Sequence, residues 1–190
     1  VKEFDVSEPV KMIFKTNVDP IPLPITKEKY PNIEIVSGKS TDNDLLDICY
    51  RSDCFVFPSR GEGFGIPPLE AMATGMPSIV PNAHGISEYF NPEFMYEVKV
   101  DHTCPALYSR YKGQDVGKMV VCDVDDLAAR MRWVYEHQEE ALERGRKASK
   151  YVAQWTFANT AIQLKGIIEE AMKKTVGENN NKNVLVLELI

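Results

Sequence analysis

Apolar and polar positions along the first half of the chain fall into short runs that alternate in kind. Lys11-Met12-Ile13-Phe14-Lys15 reads as a strand, and Ile33-Glu34-Ile35-Val36 as a second one, closed by Gly38. Between them, Asp19-Pro20-Ile21-Pro22-Leu23-Pro24 reads as an irregular link, because proline cannot join a central ladder. Ser40-Thr41-Asp42 supplies N-cap candidates for a helix through Leu45, Leu46, Ile48, Cys49 and Tyr50. Phe55-Val56-Phe57 suits a buried parallel strand. A helix opened by Pro67 or Pro68 follows, stopped by Gly75 and Pro77, and then a further strand at Ser78-Ile79-Val80. Strands alternating with helices in this way predict an α/β fold with a parallel sheet and crossover helices.

The second half is less regular. Met95 to Val100 reads as a strand, and Tyr108 to Gly117 as an excursion or loop whose tyrosines and lysine could touch a partner or substrate, although loop aromatics usually pack on their own domain. Asp123 to Asp126 precede an amphipathic helix with Leu127, Met131, Val134 and Tyr135 on one face. Glu139 to Lys150 reads as a charged, solvated helix, with His137 on it at the surface. A final helix over Thr156 to Lys174 carries Ile162, Ile167, Ile168 and Met172. One domain is therefore expected over residues 1–175, with a polar linker and short apolar tail over 176–190.

Composition narrows the classes. The 190 residues suffice for a sheet covered on both faces. A hydrophobic content of 44% and a charged content of 26% are ordinary for a soluble domain. The net charge of −6 argues against broad nucleic-acid binding, but local dipoles can still hold a phosphate. Arg60 and Lys39 are the nearest cations in sequence for that task, although either residue type is more often a solvated surface charge. Cys49, Cys54, Cys104 and Cys122 form no C-x-x-C, so a reducing, cytoplasmic setting is expected and a zinc site is unsupported. His84, His102 and His137 have no metal-like spacing. No apolar run reaches membrane-spanning length, and Val1 to Asp5 has no signal-peptide character.

The densest chemistry lies at Glu62-Gly63-Phe64-Gly65-Ile66-Pro67-Pro68-Leu69-Glu70. Gly63 and Gly65 let a ligand approach the backbone, and the helix start after them presents N–H groups and a positive dipole end to an anion. Carboxylates suit hydroxyl groups better than phosphate, because they accept hydrogen bonds. The loop thus reads as a site for a ligand with both phosphates and hydroxyls, as a nucleotide sugar has. A dinucleotide fingerprint is disfavoured, since Ile66 stands where its third glycine belongs and no ribose acid follows near His84. A Walker A loop is excluded for want of Gly-Lys-Ser/Thr. Taken singly, each Glu would be a helix-capping or solvated residue.

The stretch from Arg51 to Pro77 closely resembles the E-x7-E signature of group 1 (family 4-like) retaining glycosyltransferases of the GT-B fold. The resemblance runs roughly from Ile33 to Lys173 and is dense from Leu45 to Glu88. It implies one Rossmann-like half of a GT-B fold, doubly wound with helices on both faces, of the donor-binding, C-terminal kind. It implies that Glu62 contacts the donor sugar at the reaction centre and that Glu70 holds the ribose hydroxyls. Main-chain N–H groups around Gly63, Phe64, Gly65 and Ile66 would meet sugar or phosphate oxygens. His84-Gly85-Ile86-Ser87-Glu88 resembles the family's G-G-x-x-E stretch, with His84 in place of the first glycine. The donor would be a UDP-, GDP- or ADP-sugar, with no metal or other cofactor required. Asp123-Val124-Asp125 reads as a helix cap rather than a metal motif.

The resemblance also sets expectations about partners. The acceptor would be bound by an N-terminal GT-B domain, and the parent enzyme could be peripheral at the inner membrane face. The family's opening strand, with its Gly-Arg pair and nearby lysine, is not found before Lys11, so this chain alone is expected to transfer sugar poorly. A non-catalytic nucleotide-sugar-binding or assembly module of the same fold is the alternative.

Overall fold

The computed structural model describes residues 3–5, 7–17, 28–107 and 112–178, the last five by backbone alone. The proline-rich link at 19–24, the tyrosines at 108 and 111, and the tail after 178 lie outside the described residues. The chain divides into one unit over Val1–Val152 and another over Ala153–Ile190.

The first unit opens with β1 (Met12–Lys15) paired in parallel with β2 (Ile33–Val36). Helix α1 (Asp42–Tyr50) follows, and its start is set by a capping box: Thr41 Oγ1 accepts from Asp44 N–H, while the Asp44 carboxylate accepts from Thr41 N–H. A second parallel block contains β3 (Phe55–Val56), β4 (Ser78–Val80) and β5 (Met95–Glu97), in that spatial order. Helix α2 (Ile66–Ala73) joins β3 to β4. A 3-10 helix over His84–Glu88 lies between β4 and β5.

β4 is the middle strand of its block, and all its residues are buried. Its alternate side chains enter two different cores, as the period of two requires. Val80 joins Leu69 and Met72 of α2, Ile86, Tyr89, Phe94, Met95, Ala148 and Val152. Ile79 joins Tyr96, Val98, Val134 and Ala141, with Leu127, Met131 and Trp133 packed against them. The block is thus covered on both faces, as the α/β reading expects. The covering helices besides α2 are α3 (Val124–Glu136) and α4 (Gln138–Val152).

Several expectations are corrected. Met95 to Val100 is not one strand. β5 ends at Glu97, and Val100 starts β6 (Val100–Leu107), which pairs antiparallel with β7 (Asp115–Cys122). Asp115 to Gly117, read as loop, therefore belong to a hairpin arm. Register shifts between Val100 and His102 and between Pro105 and Leu107 break the alternation that would have revealed it. Helix α4 is not simply a solvated face, since it buries Ala141, Gly145, Ala148 and Val152. Its inward residues are small, so no large apolar stripe marks them. His137 caps the C-terminus of α3 rather than lying on a helix, and its ring stacks on Trp133.

In the second unit, α5 spans Phe157–Glu178, so Gly177 and Glu178 continue the helix instead of starting a linker. Thr156 Oγ1 accepts from Asn159 N–H at its first turn.

Candidate functional site

The loop between β3 and α2 leaves the carboxyl end of a parallel strand, where ligands bind in open α/β sheets. The strand is held by Phe55 N–H to Pro77 carbonyl and Phe57 N–H to Ile79 carbonyl bonds, both at 2.9 Å. Ser59 Oγ then donates to Glu62 Oε1 at 2.7 Å, which orients the half-buried carboxylate. No cation pairs with Glu62 among the described residues.

Gly65 is the N-cap of α2 and sits in the left-handed region, φ 84° and ψ 61°. Its carbonyl accepts a hydrogen bond from the buried Tyr89 hydroxyl at 2.6 Å. A Cβ there would stand 2.8 Å from that hydroxyl and 2.9 Å from Ile86 Cγ1, so glycine is demanded by space as well as by φ. Pro67 and Pro68 follow in the first turn, as the sequence suggests, but they carry a consequence for anion binding. Neither has an N–H, so only Gly65 and Ile66 keep donors at this helix start.

The 3-10 helix packs against the loop. Gly85 N–H donates to the Glu62 carbonyl at 3.2 Å. A Cβ on Gly85 would lie 2.5 Å from Phe64 Cα and nearer still to the Gly63 carbonyl oxygen. His84, which stands in place of a glycine, adopts the glycine-like conformation with φ 53°. The Phe64 ring meets Tyr89 edge-on, with centroids 5.5 Å apart. Burial, and secondarily the Glu62 charge, push the Tyr89 hydroxyl far above its ordinary pKa, so it remains a donor.

Glu70 lies on the exposed side of α2. Its carboxylate has no hydrogen-bond or ion-pair partner among the described residues. It is close enough to Cys49 on α1 to help raise that thiol's pKa, after burial. The structure therefore places Glu62, Gly63, Phe64, Gly65 and Ile66 in one continuous loop and Glu70 on the helix it opens. Arg60, considered as a phosphate cation, instead directs Nη2 to Cys104 Sγ on β6 at 2.7 Å. The β6–β7 hairpin braces this side of the loop, with Val120 N–H donating to the Arg60 carbonyl at 2.8 Å. Tyr89 is the site residue that sequence reasoning missed, since nothing local ties it to Gly65.

Asp123 caps α3, its Oδ1 accepting from Asp125 N–H at 2.9 Å and Asp126 N–H at 3.0 Å. Among the described residues, no group of histidine, cysteine and carboxylate side chains is arranged to hold a metal. No described helix is long and apolar enough to cross a membrane. The four cysteines are free thiols.

Residues 18–101 match the family described as glycosyl transferases group 1. Over 72 residues the chain is 38% identical to the serotype-specific mannosyltransferase WbdA of Escherichia coli, covering 34% of this chain and 9% of that protein. Over 49 residues it is 49% identical to mannosylfructose-phosphate synthase of Agrobacterium fabrum, covering 26% of this chain and 11% of the relative. Among solved structures, sucrose-phosphate synthase from Thermosynechococcus elongatus matches with a TM-score of 0.57 at 19% identity, covering 77% of this chain and 32% of that one. That likeness is one of fold. These matches span only a minor part of each relative's length. Motif and matches point the same way: residues 18–101 are similar to the group 1 glycosyltransferases, and the fold is of the GT-B kind.

Proposed function

We propose that the Glu62–Glu70 loop binds a nucleotide diphosphate sugar, and that the chain, joined to an acceptor-binding domain, transfers the hexosyl group to an acceptor hydroxyl with retention. The observation that carries this reading is the placing of two carboxylates, neither paired with a cation among the described residues, on either side of a helix start that keeps the Gly65 and Ile66 N–H groups. Ion-paired carboxylates would be spent on their partners. These two are left to accept hydrogen bonds from ligand hydroxyls.

The diphosphate rests at Gly65 and Ile66, Glu62 orients the sugar, and Glu70 clamps the ribose. Charge that develops on the leaving diphosphate is met by the α2 dipole and the two remaining N–H groups. No metal takes part. The protein works in the cytoplasm, where nucleotide sugars are substrates, and the partner domain supplies the acceptor. Calorimetric titration with UDP, GDP and ADP, then with the matching sugars, tests the reading. Selective binding of one base supports it, and absence of binding to all six ligands refutes it for this chain.

A second reading is a module of the same fold that binds without catalysis. The engagement of Arg60 with Cys104, rather than with the loop, favours it. Turnover by the chain joined to its partner domain decides against it.

A further inference from the structure

The peptide between Gly65 and Ile66 is where this helix start is most exposed to error. With Pro67 and Pro68 lacking N–H groups, the Ile66 N–H is the sole donor inside the first turn of α2. In a trans peptide the carbonyl and the following N–H point in opposite directions. Whatever holds the Gly65 carbonyl therefore also aims the Ile66 N–H.

The group that holds it is the Tyr89 hydroxyl, at 2.6 Å. Tyr89 is 1% exposed, while Ile66 is 58% exposed. The carbonyl is thus drawn inward to a buried hydroxyl, and the N–H of the same trans peptide is turned the opposite way. We infer that Tyr89 is a positioning residue of the donor site, its hydroxyl fixing the Gly65–Ile66 peptide so that the Ile66 N–H faces the ligand's diphosphate. This rests on the donor-site reading above.

Independent contacts from the same element support it. Gly85 N–H holds the Glu62 carbonyl, and the Tyr89 ring edge supports Phe64. The turn from Gly85 to Tyr89 thus grips the loop at several points, and Tyr89 grips it nearest the phosphate donors. Tyr89 also packs in the core with Leu69, Met72 and Val80. A purely structural role is the competing account, and the test must separate the two.

Tyr89→Phe keeps the ring and removes the hydroxyl. The residual dipolar coupling of the Ile66 N–H bond, which reads its direction, should shift in the ligand-free chain, with those of Met72 and Val80 unchanged. The affinity for the nucleoside diphosphate that the wild type binds best, among UDP, GDP and ADP, should fall about 5-fold. Affinity for the corresponding nucleoside, which lacks phosphate, should stay the same. An unchanged Ile66 N–H coupling overturns the inference, as does equal weakening of diphosphate and nucleoside. If the wild type binds none of the three diphosphates, the donor-site reading fails, while the Ile66 N–H coupling still decides whether Tyr89 sets this peptide.

Discussion

Arg132 on α3 grips Glu8 near the chain's start, with Nη1 2.5 Å from Oε1 and Nη2 3.0 Å from Oε2. The same guanidinium bonds Glu3 and lies over the Phe4 ring, 4.2 Å from its centroid, while Phe4 meets Tyr135 edge-on. One side chain therefore ties the N-terminal segment to α3. The Glu8 carboxyl is held down to about 2, chiefly by its hydrogen bonds to Arg132. A carboxyl with a lowered folded-state pKa stabilises above its ordinary value of 4.5 and loses that contribution as pH falls toward 2. Acid titration followed by Trp133 fluorescence should show a transition in this window. Arg132→Gln should flatten it and leave stability at pH 7 lower than wild type.

The two carboxylates of the loop should separate by ligand. Glu70→Ala should weaken nucleotide and nucleotide sugar alike, by about 10-fold for a pair of lost hydroxyl contacts. Glu62→Ala should weaken the nucleotide sugar more than the free nucleotide. Calorimetry on both variants with both ligands reads the difference, and equal losses throughout would refute the assigned roles.

Close backbone approach makes two glycines sensitive to one added methyl group, with different consequences. Gly85→Ala would press on Gly63 and Phe64, and Gly145→Ala would set Cβ 2.9 Å from the Gly75 carbonyl carbon and closer to its oxygen. Each should cost about 1–3 kcal/mol, a Tm loss of about 2–12 °C for a chain of this size. Gly85→Ala should also reduce nucleotide-sugar affinity, because it displaces the loop. Gly145→Ala should leave the affinity of the folded fraction intact.

His84 holds φ 53°, a conformation that costs an ordinary residue about 1–2 kcal/mol. Glycine relieves this but loses about 0.5–1 kcal/mol through the unfolded chain, so His84→Gly should be neutral or slightly stabilising. His84→Val should lower Tm, because β-branched residues resist this region. Thermal melts of the two variants check the order.

Tyr96 contrasts with Tyr89. It is 6% exposed, and its hydroxyl has no hydrogen-bond partner among the described residues. Burial pushes its pKa up to about 12, so it stays neutral. Tyr96→Phe should raise stability by about 1 kcal/mol, whereas Tyr89→Phe should lower it by a similar amount. Denaturant midpoints of the pair would show both signs.

What the sequence determined by itself is what local chemistry controls. Thr41 and Asp44 mark the start of α1 by their own hydrogen bonds, and Asp123 marks that of α3. The apolar run Ser78-Ile79-Val80 announced the buried strand β4, whereas Phe55 and Val56 of β3, expected to be buried, are only half-buried, and the Glu62-to-Glu70 spacing announced the loop and the family it resembles. The tertiary structure decided what depends on contacts distant in sequence. Tyr89 reaches Gly65 across 24 residues, Arg132 reaches Glu8 across 124, and Cys104 draws Arg60 across 44. No periodicity encodes such pairs. The hairpin escaped notice because its register shifts disrupt alternation, and α4's buried face because alanine and glycine fill it. Local rules report how a segment bends, whereas the direction of a single peptide at the site is fixed by a hydroxyl that only folding brings to it.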